Sequence, residues 1–309
     1  MIRLIVPFLF LLPILCYSQN DSSAIEALGK ETTLSEVVIR SGLDVNQFLK
    51  RIKDDTTFYK AFRTLHILGF TSFNDIRMVD SDGDTKASLH SKTRQNRINS
   101  CRTMDVLEER TTGDMYKHKE LNYYTAELYA GLFFTNGKVC GEDNIVAGRQ
   151  RDVKGKSGLE KHKEQLKMLF FNPGQRIPGI PFIGDKVDIF DPSISKYYVF
   201  SIDMDQMMNQ QCFVFKINPK QGIDRDKIVF DNITTWFNSK TMEIVARNYD
   251  LSYDTPVYDF DVHMEVRMTR FEGMLVPELL SYKGNWKVAF KKRERGIFTA
   301  TLFDFNKGN

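Results

Sequence analysis

Asp80, Asp82 and Asp84, with Gly83 among them, are the residues nearest in spacing to a cation loop. An EF-hand loop needs glycine at its sixth position and glutamate at its twelfth. Placing Gly83 sixth puts Met78 first and Leu89 twelfth, so that ligand set fails and a hairpin turn is predicted instead. His263, Glu265 and Arg267 share one face of an alternating segment, where a histidine beside a carboxylate can move a proton. A solvated strand face places the same residues in the same way. His118 and His162 each stand two residues before a glutamate rather than four, and no histidine pair has metal-binding spacing. There is no GxSxG, no P-loop and no GxGxxG turn. The expectation is a non-enzymatic protein, with no catalytic residue, no metal site and no cofactor.

The cysteines are Cys16, Cys101, Cys140 and Cys212, without a CxxC pair. Cys101 with Cys140 is the candidate disulfide, and three free thiols are the equal alternative.

The first residues carry an address. Arg3 is followed by an apolar run, Leu4 to Leu15, broken by Pro7 and Pro13 and ending at Cys16-Tyr17-Ser18. That run falls short of the roughly 20 residues a membrane span needs. It predicts a signal peptide over residues 1–18, cleaved after Ser18, with an uncleaved anchor or lipidation at Cys16 as the alternatives, and an exported protein of the periplasm or outer membrane. The 309-residue chain has 43 basic and 40 acidic residues, which gives no global attraction to nucleic acid.

Elements follow from periodicity. Residues 19–44 are predicted as a loose segment with a short strand at Thr33 to Arg40. Asp44 is a predicted N-cap for a helix with Val45, Phe48, Leu49 and Ile52 on one face. Gly69 to Ile98 is predicted as a hairpin about the acidic turn. Leu121 to Phe134 is aromatic-rich and runs into Asn136-Gly137, a type I′ turn signal. Asn144 to Lys156 is predicted as an exposed loop and Gly158 to Phe171 as a charged helix. Four of the nine prolines lie between Pro173 and Pro192, in a connection or lid that includes Ile177 to Ile183. From Tyr197 onward the pattern is strands: Tyr197 to Asp203, Cys212 to Ile217, Lys227 to Asp231, Met242 to Tyr253, then Val262, Met264, Val266 and Met268 alternating with polar residues. Glu278 to Tyr282, Trp286 to Phe290 and Ile297 to Phe305 complete a predicted meander. The fold class is α+β: one β-rich domain over residues 45–309, an antiparallel sheet carrying a few helices.

Two stretches carry a family likeness. Leu34-Ser35-Glu36-Val37-Val38-Ile39 followed by Phe48-Leu49-Lys50-Arg51-Ile52 resembles the joint after a carboxypeptidase-regulatory-like β-sandwich in exported Gram-negative envelope proteins; the sandwich itself is missing here. Tyr197 to Pro219, Ile228 to Tyr253 and Pro277 to Phe305 resemble the curved sheet of the lipoprotein-carrier superfamily, which includes the outer-membrane lipoprotein sorting proteins. The resemblance implies a half-barrel whose concave face holds acyl chains, capped by helices and a loop. No catalytic residue carries over.

A sheet of about 8 to 10 strands curls because strands twist. The concave face is expected to present Phe200, Phe213, Phe215, Val229, Ile244, Val266, Met268 and Leu280 to a lipid or a lipoprotein acyl chain. Methionines 264, 268 and 274 suit flexible chains. The alternative is a structural or interaction protein of the outer envelope whose helices fill the same space. Lys291, Lys292, Arg293 and Arg295 form a basic stretch that can meet an anionic membrane surface or serve as a charged edge.

Overall fold

In a computed structural model, residues 37–39, 43–141, 169–177, 182–255, 258–288 and 292–308 are described. The signal segment, the loop at Asn144 to Lys156, most of the charged helix after Gly158, and Lys291 lie outside them. Among the described residues a single sheet dominates. Its strands are β1 (Val37–Ile39), β2 (Gly69–Val79), β3 (Thr85–Ile98), β4 (Cys101–Thr112), β7 (Val139–Cys140), β8 (Tyr198–Met207), β9 (Gln210–Pro219), β10 (Phe230–Asn238), β11 (Ile244–Asp254), β12 (Tyr258–Phe271), β13 (Met274–Val288) and β14 (Glu294–Asn306). A minor ribbon pairs β5 (Tyr116–Lys117) with β6 (Glu120–Leu121). The spatial order is β1-β8-β9-β10-β11-β12-β13-β14-β2-β3-β4-β7. All neighbours are antiparallel except β1, which runs parallel to β8. The curved sheet stays unclosed, an α+β half-barrel.

Local chemistry explains the turns and helices. Asp80 Oδ1 accepts the backbone N–H groups of Asp82 and Asp84 (both 3.0 Å), so the acidic cluster builds the β2–β3 turn. Met208 and Asn209 both have positive φ, which closes β8–β9 by a two-residue turn and lets both strands run further than the sequence pattern predicts. Helix α1 (Val45–Lys53) starts at Asp44, whose carboxylate accepts Gln47 N–H at 3.1 Å. Helix α2 (Thr57–Thr64) follows, with Phe58, Ala61 and Phe62 buried.

Three expectations are corrected. The aromatic run before Asn136-Gly137 forms helix α3 (Tyr124–Phe133). Of that dipeptide only Gly137 has positive φ, so it makes no type I′ turn. The strands predicted over Glu278 to Tyr282 and Trp286 to Phe290 are one, β13, as far as Val288; Ala289 and Phe290 lie outside the described residues. Lys283-Gly284-Asn285 stays extended because Gly284 lacks a side chain: a Cβ there would lie 1.6 Å from the Tyr282 hydroxyl. Tyr282 can therefore fold along its own strand and accept a hydrogen bond from Trp286 Nε1. The strand predicted at Lys227 starts only at Phe230, after a short 3-10 turn over Arg225–Lys227.

Strand β14 lies against β2, with Phe298 opposite Ile76 and Thr301 opposite Phe73. This pairing joins the N-terminal hairpins to the C-terminal meander in one sheet. At the far edge a disulfide links Cys101 of β4 to Cys140 of β7, while Cys212 is free and buried.

Candidate functional site

Register places the apolar side chains of successive strands on one face. Phe215 stands opposite Ile202, Phe213 opposite Phe237, Phe237 opposite Ile244, and Val266 opposite Leu280. Phe200, Phe215, Val229, Ile244, Val266, Met268 and Leu280 are all buried in one core cluster, and Phe213 packs against it half-buried. The structure thus gathers the eight candidates in or against one core cluster, with Val229 standing just before β10 and outside the strand register.

That layer is covered by separate pieces of chain. Helix α1 lays Phe48 edge-on against Phe213, Phe215 and Phe237, with centroids 5.6–6.0 Å apart. The turn-rich stretch after Phe182, with Val187, Ile189 and Phe190 buried, lies over β8; Phe190 stacks on Phe200 at 6.2 Å. Helix α2 sets Phe58 beneath the Arg247 guanidinium (4.4 Å), which also donates to Thr235 Oγ1 at 2.9 Å. Burial pulls the Arg247 pKa down to about 10, still far above neutral pH. Residues 169–171 are helical, and Phe170 meets Tyr282 and Trp286. Tyr249 donates to the Phe170 carbonyl at 2.5 Å. Helix α3 stacks Tyr129 on Phe298 at 4.5 Å and Phe133 on the same ring at 5.5 Å.

Helix α3 is latched from outside itself. Its N-cap residue, Tyr123, makes no side-chain cap. Glu294, at the start of β14, accepts Tyr124 N–H (3.1 Å), Thr125 N–H (2.8 Å) and the Thr125 hydroxyl (2.8 Å). The carboxylate satisfies two orphan donors and sits at the positive end of the helix. In sequence Glu294 looks like a lone acid in a basic stretch; only its neighbours in space reveal the cap.

Between α3, Phe170 and β13 lies an apolar crevice lined by Tyr124, Thr125, Leu128, Tyr129, Phe170, Tyr282 and Trp286. Its volume is about 10 Å³, room for one water at most. On β2 and β3 the layer is interrupted by a polar cluster: Ser72, Asn74, Ser91 and Thr93 are buried and hydrogen-bonded to one another, beside the core residues Phe70, Ile76, Met78, Ala87 and Leu89. Ile177 and Ile183 of the proline-rich stretch are core residues, Phe182 is exposed, and residues 178–181 between them lie outside the described set.

On the outer face His263 sits between two carboxylates, with Nδ1 2.6 Å from Asp250 Oδ1 and Nε2 3.1 Å from Glu265 Oε1. Burial opposes its charge, but these hydrogen bonds outweigh burial and raise its pKa. All three side chains are about 40% exposed and stand on the outer face, apart from the apolar crevice. Among the described residues no His, Cys, Asp and Glu cluster has the geometry of a metal site. Of the basic stretch, Lys292 is exposed, whereas Arg293 pairs with Asp259 and donates to Asn285 Oδ1 at 3.0 Å.

No family model and no curated protein matches the sequence. Among solved structures the chain is similar to a DUF1329 family protein from Desulfovibrio piger, with 9% identity, 81% of this chain and 93% of that one covered, and a TM-score of 0.25. It is also similar to a LolA superfamily protein from Nitrosomonas europaea (10%, 82% and 93%, 0.21). A third is a putative outer membrane lipoprotein-sorting protein domain from Vibrio parahaemolyticus (7%, 81% and 90%, 0.25). The fold assignment rests on the strand order and pairing of this chain's own sheet. Among the described residues no helix is long and apolar enough to cross a membrane.

Proposed function

We propose that this is a non-enzymatic exported envelope protein that holds an apolar chain, such as a lipid or lipoprotein acyl group, on the concave face of its half-barrel. The observation that carries this reading is the divided cover: a continuous apolar layer lies under separate short pieces, one of them latched by a single carboxylate, Glu294. A chain enters by displacing α3 from Tyr282 and Trp286 and lies along Val266, Met268 and Leu280. Lys292 and Arg295 supply contacts for an anionic surface beside that entrance.

The second reading is a structural or interaction protein with a filled core. The crevice favours it, because a ligand site normally offers at least about 300 Å³ and this one holds about 10 Å³. Uptake of a fluorescent fatty acid, displaced by unlabelled lipid, separates the two. The first reading requires uptake, with loss of it in Met268→Lys once circular dichroism shows the sheet intact. A folded protein that takes up no probe establishes the second.

A further inference from the structure

Opposite the filled layer, the outer face of β14, β2, β3 and β4 carries an open groove of about 610 Å³. Register defines it as two rows across the strands. One row is Thr301, Phe73, Lys92, Glu108; the next is Thr299, Asp75, His90, Arg110. Four strands give a length of about 14 Å. Phe73 is 51% exposed, stacks on Phe303 at 5.1 Å and carries the Lys92 ammonium 5.3 Å above its ring. The Asp75 carboxylate is held between Arg77 (3.4 Å) and His90 (3.5 Å).

We infer that this groove is a binding site for a short, uncharged oligosaccharide. A pyranose ring has an apolar C–H face and a rim of hydroxyls that both donate and accept. The groove mirrors both: an exposed aromatic platform in one row, and in the next a carboxylate, an imidazole, a guanidinium and a hydroxyl side by side. The lining carries the carboxylates of Asp75, Glu108 and Glu109 against the cations of Lys92 and Arg110, so the groove offers no attraction to a polyanion. It runs across the strands, whereas a peptide added by β-augmentation runs along an edge. The site is independent of the apolar layer, and its test fails or succeeds separately.

The test is a heteronuclear NMR titration of the full protein with chitotetraose, cellotetraose, maltotetraose and mannotetraose. Extended Ser/Thr-rich peptide and lipopolysaccharide serve as competing probes. Shift changes at the outer-face amides of β14, β2, β3 and β4 are expected with at least one tetrasaccharide. Phe73→Ala should weaken that binding at least about tenfold, the loss expected of a central aromatic anchor, and Phe73→Trp should retain it. No shift with any of the four sugars up to about 10 mM, binding unchanged in Phe73→Ala, or tighter binding of the peptide or lipopolysaccharide at the same amides would overturn the assignment.

Discussion

Strands β2 and β14 present phenylalanine to both sides of the sheet, and the two sides treat it differently. On the concave side Phe70 and Phe298 are buried, and Phe298 lies under two rings of α3. On the convex side Phe73 and Phe303 stack on each other, and Phe73 is half in water beside Asp75, His90 and Lys92. The residue type is the same and the strand is the same; parity decides the face, and the cover decides the burial. Around these rings the concave side is closed and mostly apolar, its polar groups Ser72 and Asn74 buried and hydrogen-bonded, while the convex side is polar and open. Stability should therefore depend on the first and be nearly indifferent to the second.

The largest effect is expected at Phe48, which is 2% exposed and touches three rings of β9 and β10. Phe48→Ala should cost about 3–5 kcal/mol in urea denaturation. A cost under about 1 kcal/mol would show that the concave layer is loosely covered there. Next comes the latch: Glu294→Ala removes the acceptor for two helix N–H groups and should cost about 1 kcal/mol. Amide exchange should accelerate through α3 but not through α1.

On the outer face, pH replaces packing as the lever. The His263 pKa is raised in the fold, so its stabilising contribution is complete below the unfolded value of about 6.5 and is lost as pH rises through the higher folded value. With its partners well exposed, the contribution should stay below about 1 kcal/mol. Urea midpoints of wild type and Asp250→Asn should differ most at mildly acidic pH and converge on the alkaline side. A constant gap across that range would contradict the pairing. The smallest effect belongs to Phe73: Phe73→Ala should change stability by no more than about 0.5 kcal/mol. A larger loss would mean that this ring is core after all.

Much of the fold is written locally. The alternation through Val262, Met264, Val266 and Met268, the Asp80 turn and the Asp44 cap each depend on neighbours within a few residues, and each is found. Seven of the eight candidates lie on strands, where the same alternation turns them towards the core cluster, and Val229 is buried just before β10. Three features depend on distant partners and escape a local pattern. Helix α3 has Tyr and Phe in a nearly all-apolar run, where period 3.6 cannot be told from a buried strand. The continuity of β13 rests on Tyr282 covering Gly284, which reads alone as a turn residue. The β14–β2 pairing joins segments more than two hundred residues apart, and nothing local announces it. Phe73 did carry a signal: it is out of phase with Phe70, Ile76 and Met78 on the same strand.

In the proposed function the closed concave layer opens at α3, and fatty-acid probe affinity in wild type and Glu294→Ala tests that opening. If opening α3 is part of binding, the unlatched variant spends less free energy on it. Its probe affinity should rise about fivefold, as about 1 kcal/mol of opening cost is removed, while its stability falls. Equal affinity in both proteins, or no uptake by either while both remain folded, would contradict the account and leave the half-barrel a filled structural core.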